Sequence, residues 1–235
     1  MSLARPQFRS KFRPTLFLSK SVKVIALLFG ANAVTHLAAQ LLDNDSLSDI
    51  TQVLLMPLLA AGVMAATRSS RSRLVKLGLL SLFFSWLGDA LPRLMSGDAG
   101  FLTMVGFFLL AQFVFIAALW PYRKSSVLGS PVFLVPYVAF FVMLLAVCGP
   151  KAGGLLGPVI VYGLALMSMA ILSTGLGTLA GFGGAIFFVS DALIAIRSFG
   201  DIRLPEHGFL IMSTYIAAQL LLAIAFVRQS HKEAA

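Results

Sequence analysis

Long apolar runs separated by short polar segments dominate the pattern of this chain. A helix that crosses a membrane needs about 20 mostly apolar residues. Eight runs meet this requirement, at about residues 22–42, 50–66, 74–94, 101–120, 130–148, 155–173, 177–197 and 209–228. The pattern therefore predicts an all-α integral membrane protein with eight transmembrane helices.

One break and two prolines qualify this count. The sixth and seventh runs are separated only by "STGLGT", and the count falls to seven if these residues do not form a turn. Pro57 and Pro158 fall inside the second and sixth runs. Membrane helices tolerate such prolines because neighbouring groups satisfy the freed carbonyl.

Composition excludes the ordinary soluble classes. The 235 residues are 59% hydrophobic and 11% charged, whereas a soluble domain is nearer a quarter charged. The net charge of +9 does not indicate a nucleic-acid partner, because the basic residues lie between the apolar runs. A single cysteine, Cys148, excludes an internal disulfide and a CxxC metal or redox site.

The positions of the basic residues predict the topology. With eight spans, 14 of the 18 lysines and arginines share one side with both termini and with the loops near 67–76 and 121–126. The positive-inside rule therefore places both termini in the cytoplasm. We expect a basic cytoplasmic tail at 1–21, without a signal-peptide cleavage site, one transmembrane domain at 22–228, and a cytoplasmic tail at 229–235. The cell membrane is the expected location.

Two similar stretches each carry an aspartate inside an apolar run. "FFSWLGDALPRL" holds Asp89 in the third run, and "FFVSDALIAIRSF" holds Asp191 in the seventh. Both lie about 14–15 residues into runs of the same direction, which predicts equal depths in the outer half of the membrane. Gln112 and Gln219 also match in the runs that follow. We interpret these matches as two parallel four-helix halves, and such repeats place sites at their interface.

A carboxylate deep in a membrane is costly and by default indicates function. Two at one depth favour a shared cavity, where one proton shared between them would leave one acid and one base. Glycosidases use such a pair through an oxocarbenium-like state. The alternative is structural, with each protonated aspartate bonding across helices to Ser85, Ser190 or a glutamine.

The chain carries few other signals of chemistry. It has no G-x-S-x-G or H-E-x-x-H motif, and His36 is the only histidine inside a run. His36 with both aspartates could hold a metal, but packing with Asn32 on the same helix face is favoured. We therefore predict no metal and no cofactor. Gly181, Gly183 and Gly184 indicate close helix packing rather than a phosphate loop.

At these residues the chain resembles the YhhN family of lysoplasmalogenase-like membrane proteins. The resemblance rests on "SWLGDALPRL" and "GAIFFVSDALIAI", with weaker support from "LLMPLL", "YGLALMSMA" and "YIAAQLL". It implies an eight-helix enzyme that hydrolyses the vinyl ether of lysoplasmalogens to a fatty aldehyde and a glycerophospho-head group. Asp89 and Asp191 match the family's proposed catalytic aspartates.

The chain departs from the family pattern at several positions. The pattern has lysine and then proline ahead of "LLMPLL", where Gln52 and Val53 stand here. It often has histidine and tyrosine in the fourth span, where this chain has Gln112 and Phe115. If those groups bind phosphate or steer a proton, the substrate of this chain differs.

The resulting hypothesis is an ether hydrolase in which Asp89 and Asp191 are catalytic. Arg93 could pair with Asp89, reach a phosphate or snorkel to the membrane surface, and Trp86 could be an interfacial anchor or a cavity wall. We predict a lysophospholipid as the partner, contacted by Ser85, Trp86, Arg93, Gln112, Ser190, Tyr215 and Gln219. The alternatives are a transporter or lipid scramblase with paired acids at a repeat interface, and a non-catalytic membrane partner.

Overall fold

A computed structural model describes residues 19–68 and 71–234. These residues form eight α-helices joined by turns and contain no β-strand. The helices are α1 (Lys20–Leu41), α2 (Asp45–Ala66), α3 (Arg73–Ala90), α4 (Asp98–Leu119), α5 (Pro131–Ala152), α6 (Leu156–Ser173), α7 (Thr178–Phe199) and α8 (His207–Ala234). Most of the predicted basic tail, residues 1–18, lies outside the described residues.

Each predicted run corresponds to one α-helix, and only the boundaries differ. α2 begins at Asp45 rather than near residue 50, because the Asn44 side chain accepts a 3.1 Å hydrogen bond from the Leu47 backbone N–H. Asparagine is a favoured residue at this capping position. At the far end, α8 continues through the segment predicted as a tail to Ala234.

The break between α6 and α7 is a turn, as predicted. Thr174–Leu176 form a short 3-10 helix, and Gly177 follows with φ of 100°. Glycine adopts this conformation without the steric penalty that a side chain would bring. α7 therefore begins at Thr178 as a separate helix, and Asp191 lies well inside it.

By length and composition, seven helical segments of the described chain are apolar enough to cross a membrane. The protein is accordingly an all-α integral membrane protein. The fifth segment, Pro131–Leu176, contains both α5 and α6. Within it the chain folds back at Gly153, where φ is 51°, and Gly163 of α6 packs directly against the Phe141 ring of α5. In one straight helix these two residues would lie about 33 Å apart.

An aromatic cluster fills the core where α4, α7 and α8 meet. The Phe115 ring packs edge-on against Phe187 and Phe226, with centroids 6.3 and 6.0 Å away. Phe187 in turn contacts Tyr215 edge-to-face, at 5.8 Å. Such geometries are favourable because the electron-poor ring edge meets the electron-rich face. The cluster therefore fixes the orientation of Tyr215 on α8.

Glycines bring α7 close to both of its neighbours. A Cβ atom added at Gly184 would lie 3.0 Å from Ala170 Cα on α6 and would collide with the Ser173 hydroxyl. One added at Gly183 would lie 3.2 Å from the Leu222 backbone nitrogen on α8. The predicted close packing at these glycines is confirmed, and it holds the helix that carries Asp191.

Candidate active site

Asp89 and Asp191 line one cavity. Its volume is about 450 Å³, within the range of about 300–1,000 Å³ that is usual for small-molecule sites. The walls come from α1, α2, α3, α4, α7 and α8, with the turn that follows α3. The two carboxylates therefore line the same cavity, although 101 residues of chain lie between them.

Asp89 is buried near the C-terminal end of α3 and is held from two other helices. Gln52 of α2 donates a 3.0 Å hydrogen bond from Nε2 to Asp89 Oδ1. Tyr215 of α8 donates its hydroxyl proton to Oδ2 at 2.9 Å. Both oxygens of this carboxylate thus have a neutral donor.

Arg93 extends this network to the edge of the cavity. Its Nε donates a 3.1 Å hydrogen bond to the backbone carbonyl of Asp89, and its Nη2 donates one of 2.5 Å to Gln52 Oε1. Arg93 also forms an ion pair with Asp49 on α2. Of the three alternatives for Arg93, direct pairing with the Asp89 carboxylate is not formed, and Gln52 bridges the two side chains instead.

Asp191 has a different set of partners. It is buried on α7, and the hydroxyl of Tyr162 on α6 donates to its Oδ2. No second side-chain hydrogen bond reaches this carboxylate from the described residues. The two aspartates therefore occupy unequal environments, one with an amide and a phenol and the other with a phenol alone.

A small apolar slot of about 40 Å³ opens beside Asp191, between α4, α6 and α7. Among the described residues that line the slot, only Asp191 and Tyr162 have polar side chains. Phe101 and Phe199 also line the slot and contact each other edge-to-face, with centroids 5.4 Å apart. Asp191 lines both spaces, whereas Asp89 lines only the larger cavity.

The structure brings only some of the predicted substrate-binding residues to the cavity. Arg93, Ser190 and Tyr215 line it, although the Ser190 hydroxyl is used in a 3.1 Å bond to the Ile211 carbonyl. The positions of the other four do not support direct contact with substrate. They are Ser85, Trp86, Gln112 and Gln219, none of which lines this cavity.

Helix packing explains where these four residues point. Gln219 Nε2 donates a 3.1 Å hydrogen bond to the Ser85 hydroxyl, which joins α8 to α3 one helical turn from Asp89. Trp86 Nε1 donates to the Val53 carbonyl on α2 at 3.1 Å, so Trp86 joins α3 to α2 and does not line the cavity. Gln112 is fully buried on α4, and its amide lies beside Tyr162, the phenol that donates to Asp191.

His36 belongs to the packing between α1 and α2. Its Nδ1 lies 3.0 Å from the Thr51 hydroxyl and 3.2 Å from the Ser48 carbonyl, while Asn32 donates to the Thr51 carbonyl at 2.9 Å. His36 does not line the cavity. The alternative of a metal site shared by His36 and both aspartates is thus not formed by the described side chains.

Two side chains that contact the carboxylates, Gln52 and Tyr162, were not predicted as site residues. Gln52 was singled out only as a departure from the family pattern, and Tyr162 only as the first letter of "YGLALMSMA". Tyr162 carried a signal, since it is a polar group in an apolar stretch, whereas Gln52 lies at the polar start of α2 beside Thr51. Their partners could not be identified because the sequence does not fix how α2 and α6 are rotated.

Comparison with known proteins gives a family match and several curated relatives. Residues 47–226 match the model of the YhhN family. Lysoplasmalogenase TMEM86B from Homo sapiens is 41% identical over 71 residues, which cover 30% of this chain and 31% of the human protein. The rat protein of that name is 42% identical over 71 residues (30% of each chain), and the mouse protein is 41% identical over 75 residues (32% and 33%).

These pairwise matches span only about a third of the relatives' length. No solved structure gives a significant match to the chain. The family match is broader, because it includes α3, α6, α7 and most of α8 with the aspartates and both tyrosines that bind them. Since it covers most of the 235 residues, the chain belongs to the YhhN family.

Proposed function

We propose that this protein is an intramembrane hydrolase that cleaves the vinyl ether bond of lysoplasmalogen, releasing a fatty aldehyde and a glycerophospho-head group. The observation that carries the proposal is the single cavity that Asp89 and Asp191 share. The names of the curated relatives support the same activity. The family resemblance and the acid pair together favour an enzyme over a carrier.

The first chemical step is assigned to Asp191. This residue borders the apolar slot, which suits the start of the alkenyl chain, so its carboxyl group lies beside the double bond. Asp191 transfers its proton to the vinyl carbon farther from the ether oxygen. The carbon attached to that oxygen becomes an oxocarbenium ion.

The second step is assigned to Asp89, which borders only the larger, more polar space. The two hydrogen bonds that Gln52 and Tyr215 donate to Asp89 suit a carboxylate that carries charge. The charge stabilises the cation, and Asp89 takes a proton from the water that attacks it. The hemiacetal then breaks its bond to the glycerol oxygen, which gains a proton as the hemiacetal hydroxyl loses one. Transfer of the proton from Asp89 to Asp191 completes the cycle.

The proposal includes eight membrane crossings in two parallel halves, with cytoplasmic termini and a cavity that opens toward the outer leaflet of the cell membrane. Two observations support it. α5 and α6 fold back on each other and contain 22 and 18 residues, enough for one crossing each. The basic residues are concentrated on the side of the termini that eight crossings would create.

The decisive experiment is hydrolysis of lysoplasmalogen by the purified protein in D₂O. Protonation at carbon predicts one deuterium on the carbon next to the aldehyde group, detected by mass spectrometry after immediate reduction to the alcohol. Unlabelled fatty aldehyde added to the Asp191→Asn variant and treated identically is the control for exchange after release. Movement of lipid across vesicles without aldehyde release would instead favour the carrier.

A further inference from the structure

Two arginines line the cavity, and the structure gives them different surroundings. Arg93 is engaged by Asp49, Gln52 and a backbone carbonyl. Arg197, in the last turn of α7, has neither an ion pair nor a hydrogen bond to any described residue. One guanidinium is therefore used within the protein, and the other remains available to a ligand.

The acids of the cavity do not supply a partner for Arg197. Asp89 is bonded by Gln52 and Tyr215, and Asp191 by Tyr162. A cation that faces a cavity without an internal anion is suited to an anionic ligand. Arginine in particular presents a planar fork of donors that fits the oxygens of a phosphate.

The neighbours of Arg197 at this part of the cavity carry no charge that could pair with it. Gly208, at the start of α8, also lines the cavity, and a Cβ atom placed there would lie 3.9 Å from Arg197 Nη1. It would also collide with the side-chain oxygen of Gln40 on α1. Arg197, Gly208 and Gln40 thus border one part of the cavity, and none of them lines the apolar slot.

We propose that Arg197 binds the phosphate of the substrate head group, so that the site selects phosphorylated lysolipids over neutral glycerol ethers. This inference rests on the proposed function, since it concerns the same substrate. Arg197 follows Asp191 by six residues, a rise of about 9 Å along α7. The glycerol unit between vinyl ether and phosphate spans less than this rise, and the long arginine side chain covers the remainder.

The test is a binding experiment that requires no hydrolysis. The ligands are a 1-alkyl lysophospholipid, whose saturated ether is not cleaved, and the matching 1-alkyl glycerol, titrated calorimetrically into the purified protein in detergent. Arg197→Gln should weaken binding of the phospholipid about 10–100-fold and leave the alkyl glycerol unchanged. Arg197→Lys should recover part of the loss. Arg203→Gln, in the following loop and outside the cavity lining, is the matched control.

Two outcomes would overturn the proposal. One is an equal change, or none, for the two ligands in Arg197→Gln. The other is binding of inorganic phosphate as tight as that of the lysophospholipid, which would assign Arg197 to free phosphate. Failure of the proposed function gives a different result. The folded protein would then still discriminate the two ligands through Arg197 but would release no aldehyde from lysoplasmalogen.

Discussion

The Tyr215 hydroxyl on α8 donates a 2.9 Å hydrogen bond to Asp89 on α3, a residue 126 positions away in the chain. Four residues further along α8, Gln219 donates to Ser85, which lies four residues before Asp89. Residues four apart share one face of a helix, so the two bonds form consecutive rungs between α3 and α8. The Asp89 carboxylate is therefore positioned by the same contact that joins the helices.

Replacing either aspartate should remove vinyl ether cleavage. Asp89→Asn and Asp191→Asn keep the size of the side chain but cannot carry the charge or give up the proton, so each should lower the rate by at least about 10²–10⁴-fold. The double variant should be scarcely slower than either single one, because the two groups act as a unit. Aldehyde release measures the effect, and a full rate in either variant would make that carboxyl structural.

The rate should depend on pH in a bell shape. On the acid side it should rise as the base of the pair ionises and becomes able to accept a proton from water. On the alkaline side it should fall as the acid loses the proton that it must donate. The two apparent pKa values of this profile belong to the pair of carboxyl groups rather than to one residue. A profile of kcat/KM for wild type and for Tyr215→Phe tests this, and a flat profile would contradict acid–base catalysis.

The two phenols should matter through the aspartates they contact. Tyr215→Phe and Tyr162→Phe each remove one donor to a buried carboxyl group, and each should slow hydrolysis by about tenfold or more. Tyr137→Phe on α5 is the control, since Tyr137 lines neither space near the aspartates. Thermal unfolding in detergent should show that all three variants remain folded. Equal activity of all three would remove the phenols from the mechanism.

Gln52 should prove to be a positioning residue. Gln52→Leu removes both the donor to Asp89 and the acceptor for Arg93, and should lower kcat more than it raises KM. Gln52→Glu keeps an acceptor for Arg93 but places a second acid beside Asp89, which should shift the pH profile. Gln229→Leu, near the end of α8, is the matched control. An unshifted profile in Gln52→Glu would show that the amide does not act on Asp89.

Packing of α7 should depend on Gly184. An alanine there would meet the backbone of α6 and the Ser173 hydroxyl, so Gly184→Ala should destabilise the protein by about 1–3 kcal/mol. Gly106→Ala on α4 adds the same methyl group where no atom lies within 4 Å, and should cause no loss. Unfolding in detergent, followed by circular dichroism, compares the two. Equal stability would contradict the close approach of α6 and α7.

Much of the architecture was accessible from the sequence because one property dominates it. Apolar runs of membrane length predicted each helix, and the glycines of α7 correctly predicted close packing. The pairing of Asp89 with Asp191 followed from spacing, since each occupied a similar place in a similar run. These inferences need only positions along the helices.

The direction in which each side chain points could not be predicted from the sequence. In a soluble protein the polar face of a helix marks its outside, but lipid is as apolar as the core, so the pattern loses that information. Trp86 and Gln112 were therefore predicted to contact the substrate, although Trp86 bonds to α2 and Gln112 packs beside Tyr162 without lining the cavity. For the same reason Gln52 and Tyr162 were overlooked as partners of the acids.

The unequal surroundings of the two acids have a consequence for redesign. Identical side chains in matching frames have no intrinsic reason to take different tasks, so any division of labour must come from neighbours on other helices. Gln52 and Tyr215 surround one acid, and Tyr162 alone contacts the other. To exchange the two roles, both aspartates would be kept. The amide of Gln52 would be removed from beside Asp89, and an amide side chain would be introduced beside Asp191.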